Sequence, residues 1–106
     1  MSESPRGVLR LTDLVSYQDG SVVSRTIAKT SAGSVTVFAF DSGQALSEHT
    51  AAFDALVHVL EGEVEIVVGG APHRLGKGDA ILLPANVPHA VNAVGRVKML
   101  LSMLKG

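Results

Sequence analysis

Four histidines are the residues of this chain best suited to chemistry, and two of them stand in frames of regularly spaced turn residues. His49 lies in the segment SEHT, inside a stretch bounded by Gly43 and Gly62. His89 closes the segment GDAILLPANVPH, which begins at Gly78. A neutral imidazole offers one unprotonated ring nitrogen, which can ligate a transition metal or accept a hydrogen bond from a small molecule. Catalytic metals commonly take three protein ligands, so a pair of imidazoles makes an incomplete centre. The chain has no cysteine, which excludes disulfides, thiolate zinc sites and cysteine nucleophiles.

The elements that must position these histidines read as strands. From Ser21 the apolar period is two: SVVSRTIAK and SVTVFAF, separated by the turn SAGS, predict a hairpin over residues 21–40. EVEIVV alternates cleanly, with Val64, Ile66 and Val68 facing in and Glu63, Glu65 and Val67 facing out. Gly62, Gly69, Gly70, Gly76, Gly78, Pro84, Pro88 and Gly95 cut the remainder into short pieces. Such punctuation, without long helical periodicity, predicts an all-β sandwich or barrel. Ahead of it, residues 1–20 read as a leader. Residues 1–7 are expected to be loosely attached, Val8–Leu11 to form a short strand, and Thr12 and Asp13 to cap a helical turn over DLVSY. The barrel itself is expected to span 21–106.

The chain has 106 residues, 46% hydrophobic and 18% charged, with a formal net charge of −1. That is enough apolar material for one core. It carries no electrostatic footprint for nucleic acid or an anionic membrane. No apolar run approaches the roughly 20 residues needed to span a bilayer, and the polar MSESPRG start has no signal-like apolar segment. A cytoplasmic location is therefore expected. ALVHVL and VKMLLSML are apolar on both faces, unlike strands with one wetted face. Their outer face is expected to meet a second copy of the chain, giving a homodimer.

The two framed histidines resemble the paired motifs of the cupin superfamily. The first motif, G-x5-H-x-H-x3-4-E-x6-G, reads from Gly43 through His49 to Gly62 with every spacing kept. The second, G-x5-P-x-G-x2-H-x3-N, reads through Gly78, Pro84, Asn86 in the glycine place, and His89. The resemblance implies a jelly-roll β-barrel of two antiparallel sheets. It also implies an interior metal (Fe, Mn, Zn, Ni or Cu) held by two His and a Glu of the first motif and the His of the second. This sequence departs from that set: Ala51 stands at the second His position, Ala55 at the Glu position and Ala93 at the terminal Asn.

His49, Ala51, Ala55 and His89 are thus expected to line an interior pocket, with His49 and His89 as the remaining metal ligands. Strand parity turns Glu48 outward, Asp54 needs a bulge to turn in, His58 has the outward parity and His73 lies in a turn-flanked surface segment. Asn86 is expected at positive φ, which Asn tolerates where the motif has Gly. The leading expectation is a barrel that binds a small molecule with a degenerate metal site. The alternative is a metal-dependent dioxygenase, isomerase or decarboxylase using His49 and His89.

Overall fold

The computed structural model describes residues 7–105. The alternating segments become nine strands: β1 Val22–Thr30, β2 Gly33–Phe40, β3 Ala45–His49, β4 Asp54–Glu61, β5 Glu63–Val68, β6 Ala71–Gly76, β7 Ala80–Leu83, β8 His89–Ala93 and β9 Val97–Leu104. They form a five-stranded sheet, β1-β2-β9-β4-β7, and a four-stranded sheet, β3-β8-β5-β6, with every pairing antiparallel. The predicted hairpin closes with Thr30 opposite Gly33. No helix among the described residues is long and apolar enough to cross a membrane.

The inward positions of both sheets fill the barrel. Phe40, Ile66, Met99, Val57, Val59, Val64 and Val97 are fully buried in one cluster. Each large side chain removed from water there contributes about 1.5–3 kcal/mol before entropy is counted. Gly62, between β4 and β5, has φ 82°, and a Cβ there would run into the Arg96 carbonyl. Glycine is therefore required twice over at this turn. Asn86 takes φ 65°, as expected of it.

The N-terminal expectation needs correction. Residues 1–6 lie outside the described residues, and Val8–Leu11 do not form a strand. Thr12 and Asp13 lie within a single 3-10 turn, Leu11–Asp13, instead of capping a helix. The reason is tertiary. Val15 is pulled onto the outer face of the five-stranded sheet, where it is buried with Val37 and Ala39, and Leu11, Leu14 and Tyr17 pack around them. A helix over these residues would turn some of its apolar side chains away from that sheet. The segment also covers Leu60 and Leu100, part of the outer face expected to need a second copy. Leu56, Leu82 and Leu104 stay exposed beyond it, and His58 is half-buried on the same outer face.

Register distinguishes two ends of the barrel. At the closed end, Phe40 pairs with Val97 and with Val22, and Gly43 donates its N–H to the Ala93 carbonyl. A bulge at Leu60 brings Glu61 opposite Lys98, where its carboxylate accepts the Tyr17 hydroxyl proton at 2.7 Å. The Tyr17 ring lies 5.2 Å from the Arg96 guanidinium and 5.0 Å from the Lys98 ammonium. Lys98 also donates to the Thr12 carbonyl at 2.6 Å. Burial and the Glu61 hydrogen bond raise the Tyr17 pKa well above the ordinary phenol range. At the open end, the loops following β3 and β7 are tied together: Asn86 N–H donates to the Ala51 carbonyl, and Ala85 N–H to Asp54 Oδ1, both at 2.8 Å.

Candidate functional site

At the open end the four-stranded sheet presents a histidine pair. His49 is the last residue of β3 and His89 the first of β8, and they are direct cross-strand partners. Partners in such a pair project to the same face. Leu46 pairs with Val91 and His49 with His89, so β3 carries one extra residue between Leu46 and His49. This bulge lets Leu46 and His49 face inward together although they are three residues apart. His89 is 5% exposed, whereas His49 is open to solvent.

The ring nitrogens define what this pair can do. His49 Nδ1 lies 2.8 Å from the Ser47 carbonyl oxygen, and His89 Nδ1 lies 3.2 Å from the Val87 carbonyl oxygen. A carbonyl oxygen only accepts, so both Nδ1 atoms carry the proton. Each ring thus uses the carbonyl two residues back to fix its own tautomer. In the neutral rings both Nε2 atoms are then bare acceptors, and they face one another at 3.1 Å. The rings meet edge-on, 4.4 Å between centroids at 72°. Two lone pairs at that distance repel until a proton, a ligand donor or a cation lies between or beside them. The fold holds the two ring nitrogens together where β3 ends and β8 begins.

The other residues singled out by sequence divide sharply. Ala55 is buried on β4, in the core cluster, with Leu83 and Met103 as its cross-strand partners. Ala51 lies past the end of β3 and is half-buried; its contribution to the mouth is the carbonyl that holds Asn86. Asp54 does not turn inward, because its carboxylate caps the loop after β7. Glu48 and His73 are exposed. His58 faces outward, opposite Leu100.

A cupin-domain family model matches residues 36–103. The chain belongs to the cupin family. Solved structures agree with this cupin barrel over nearly its whole length. A conserved protein of unknown function from Streptococcus pyogenes, SPY1581, superposes with a TM-score of 0.91 at 35% identity, covering 98% of this chain and 91% of the other. A cupin 2 conserved barrel domain protein from Leptotrichia buccalis gives 0.88 at 40% identity, covering 92% of this chain and 47% of the other, so the present chain spans about half of that relative. A cupin superfamily protein from Desulfitobacterium hafniense gives 0.91 at 28% identity, with 99% and 97% covered. No curated protein matches.

The donor set fits only part of the metal centre that many cupins carry. Two bonds of about 2.1 Å to nitrogens 3.1 Å apart subtend about 95°, so His49 and His89 have the spacing of neighbouring ligands. The remaining positions carry methyl groups, Ala51 and Ala55, and no group of three or more His, Cys, Asp or Glu among the described residues could hold a metal ion. The full three- or four-ligand centre does not fit this cupin.

A further set of polar residues lies on the five-stranded sheet. Pairing register places Lys29, Ser34, Met103, Ala55 and Leu83 in one cross-strand row on the inner side of the five-stranded sheet. Thr26, Thr36, Leu101 and Val57 form the next row, and the Thr26 and Thr36 hydroxyls are 3.3 Å apart. The signal was present in the alternation of Ser34, Thr36 and Phe38. It was masked because β1 and β2 read as a generic hairpin, with nothing to say which face looked into the barrel.

Proposed function

We propose that this cupin binds a small organic molecule at the open end of its barrel, with His49 and His89 as its principal polar contacts. The observation that carries the reading is the pair of Nε2 atoms 3.1 Å apart, with each ring's Nδ1 held by its own backbone carbonyl. Only one proton can lie between two imidazole nitrogens at this distance, so the pair favours a partner that supplies a further donor. Half-buried Ala51, two residues past His49, presents a methyl group instead of a ligating side chain, which suits a ligand with a partly apolar body.

The test is native mass spectrometry of gently purified protein beside its His89→Ala variant. A small-molecule adduct on the parent that is absent from the variant is the expected result. Nuclear magnetic resonance titrations that find no compound perturbing His49 or His89 would sink it. A metal-dependent dioxygenase, isomerase or decarboxylase is the rival, favoured by the 3.1 Å nitrogen separation. Elemental analysis after metal reconstitution separates the two: stoichiometric metal lost in both His49→Ala and His89→Ala supports the enzyme, and its absence from the parent supports the binding protein.

A further inference from the structure

The floor opposite the histidines is not uniform. Its first row begins on β1 and β2 with Lys29 and Ser34, exposed and half-buried, and ends on β9, β4 and β7 with Met103, Ala55 and Leu83. The second row repeats the order, with hydroxyls at Thr26 and Thr36 and then apolar Leu101. Polarity therefore changes along a single direction across the mouth. The strand order dictates it: β1 is the sheet edge and its inner face stays wet, while β4 lies within the sheet under the opposite wall.

The charges point the same way. The two rows contain one cation, Lys29, and no carboxylate; beyond them Glu48 is exposed beside His49, and the Lys105 ammonium lies 5.5 Å from the Phe53 ring centre. The nearby Asp54 is engaged by the Ala85 N–H, outside the rows. An apolar group placed over the half-buried Leu101 and Met103 removes their remaining surface from water. An anionic head on the β1–β2 side meets Lys29 and the hydroxyls of Ser34, Thr26 and Thr36, all of which can donate. A cationic head there faces the like charge of Lys29.

We infer that the ligand of this site is an amphipathic carboxylic acid, its carboxylate on the β1–β2 side and its aliphatic or aromatic body over β9 and β4. The inference rests on the reading of the open end as a small-molecule site, and it adds the ligand's chemical class and orientation. It makes Lys29, Thr36 and Met103 the specificity-determining residues, with His49 and His89 completing the site.

The experiment uses the full chain, labelled with 15N, titrated in separate samples with benzoate, benzamide and benzylamine while the amide signals of Thr36, Ala55 and His89 are followed. Benzoate is expected to bind about tenfold more tightly than benzamide, a difference of about 1.4 kcal/mol, and benzylamine to bind least. Lys29→Met, at an exposed position that folding does not depend on, is expected to weaken benzoate about fivefold, the scale of one exposed ion pair, and to leave benzamide unchanged. Thr36→Val is expected to act in the same direction.

Benzamide or benzylamine binding as tightly as benzoate overturns the carboxylate assignment while leaving a small-molecule site in place. Benzoate selectivity that survives Lys29→Met and Thr36→Val intact overturns the orientation. If none of the three probes moves the open-end signals, both this inference and the reading beneath it fall. Met103→Ser, with its spectrum confirming the fold, must reduce the affinity of benzoate and benzamide together. Equal affinity in that variant removes the apolar half of the assignment.

Discussion

The two ends of the barrel are built from the same strands and treat their polar groups in opposite ways. At the closed end every side chain described has its partner. Tyr17 reaches Glu61, Arg96 reaches both Asp19 and Asp41, and Lys98 reaches the Thr12 carbonyl. Beneath them Phe40 and Val97 are inaccessible to solvent. At the open end two imidazoles are held with their acceptors face to face, and the sheet below them is left partly wet. Charged and aromatic contacts that specify the fold are concentrated at one end, and the paired imidazoles at the other.

The largest effect that tests this division belongs to the closed end. Phe40→Ala is expected to lose about 3–5 kcal/mol of unfolding free energy, the usual result of emptying a fully buried aromatic position. Gly62→Ala combines positive φ with a collision against the Arg96 carbonyl and is expected to cost about 2–4 kcal/mol. Urea unfolding measures both. A loss under about 1 kcal/mol in either would mean that the closed end does not carry the fold.

The sequence made these two ends unequally legible. Gly62, Gly78 and Pro84 mark turns whose chemistry is local, so the barrel could be read from their spacing, and the alternation of Val64 and Ile66 fixed which face was core. The histidine pair was legible as a pair because the two motifs place both residues at strand ends. Its tautomers were not, since they depend on the Ser47 and Val87 carbonyls, which belong to a bulge and a loop. The segment over residues 8–17 departs from expectation for a related reason. Thr12 and Asp13 are good N-cap residues, but Val15 packs on Val37 and Ala39, and only a 3-10 turn, Leu11–Asp13, forms. Non-local contacts overrode local propensity there.

Smaller substitutions sharpen the contrast. Tyr17→Phe removes the bond to Glu61 and is expected to cost about 1 kcal/mol, a loss that calorimetry resolves as a fall of several degrees in Tm. His89→Leu keeps the buried volume and removes one of two opposed acceptors. Its stability is expected to stay within about 1 kcal/mol of the parent, although His89 is buried. A cost comparable to that of Phe40→Ala would show that the pair is structural, and the two ends would no longer differ in kind.

The smallest expected effect uses acid to separate them. Asp41 accepts the Gly20 N–H at 2.7 Å and the Arg96 guanidinium at 2.9 Å, and these contacts hold its carboxyl below the usual aspartate range. The Gly20 bond is the larger cause and Arg96 the next, both opposed by desolvation. A carboxyl depressed in the folded state contributes stability above its unfolded pKa, and that contribution is lost as pH falls through the folded value. Asp41→Asn keeps an oxygen for Gly20 but cannot titrate. The parent is therefore expected to be the more stable protein at neutral pH, with the gap narrowing as pH is lowered below about 4. Urea midpoints of both proteins across that range measure the gap. A gap that is constant with pH would mean that Asp41 acts only through the geometry of its hydrogen bonds. A gap that widens toward acid would reverse the sign of the linkage and remove Asp41 from the set of charges that hold the closed end together.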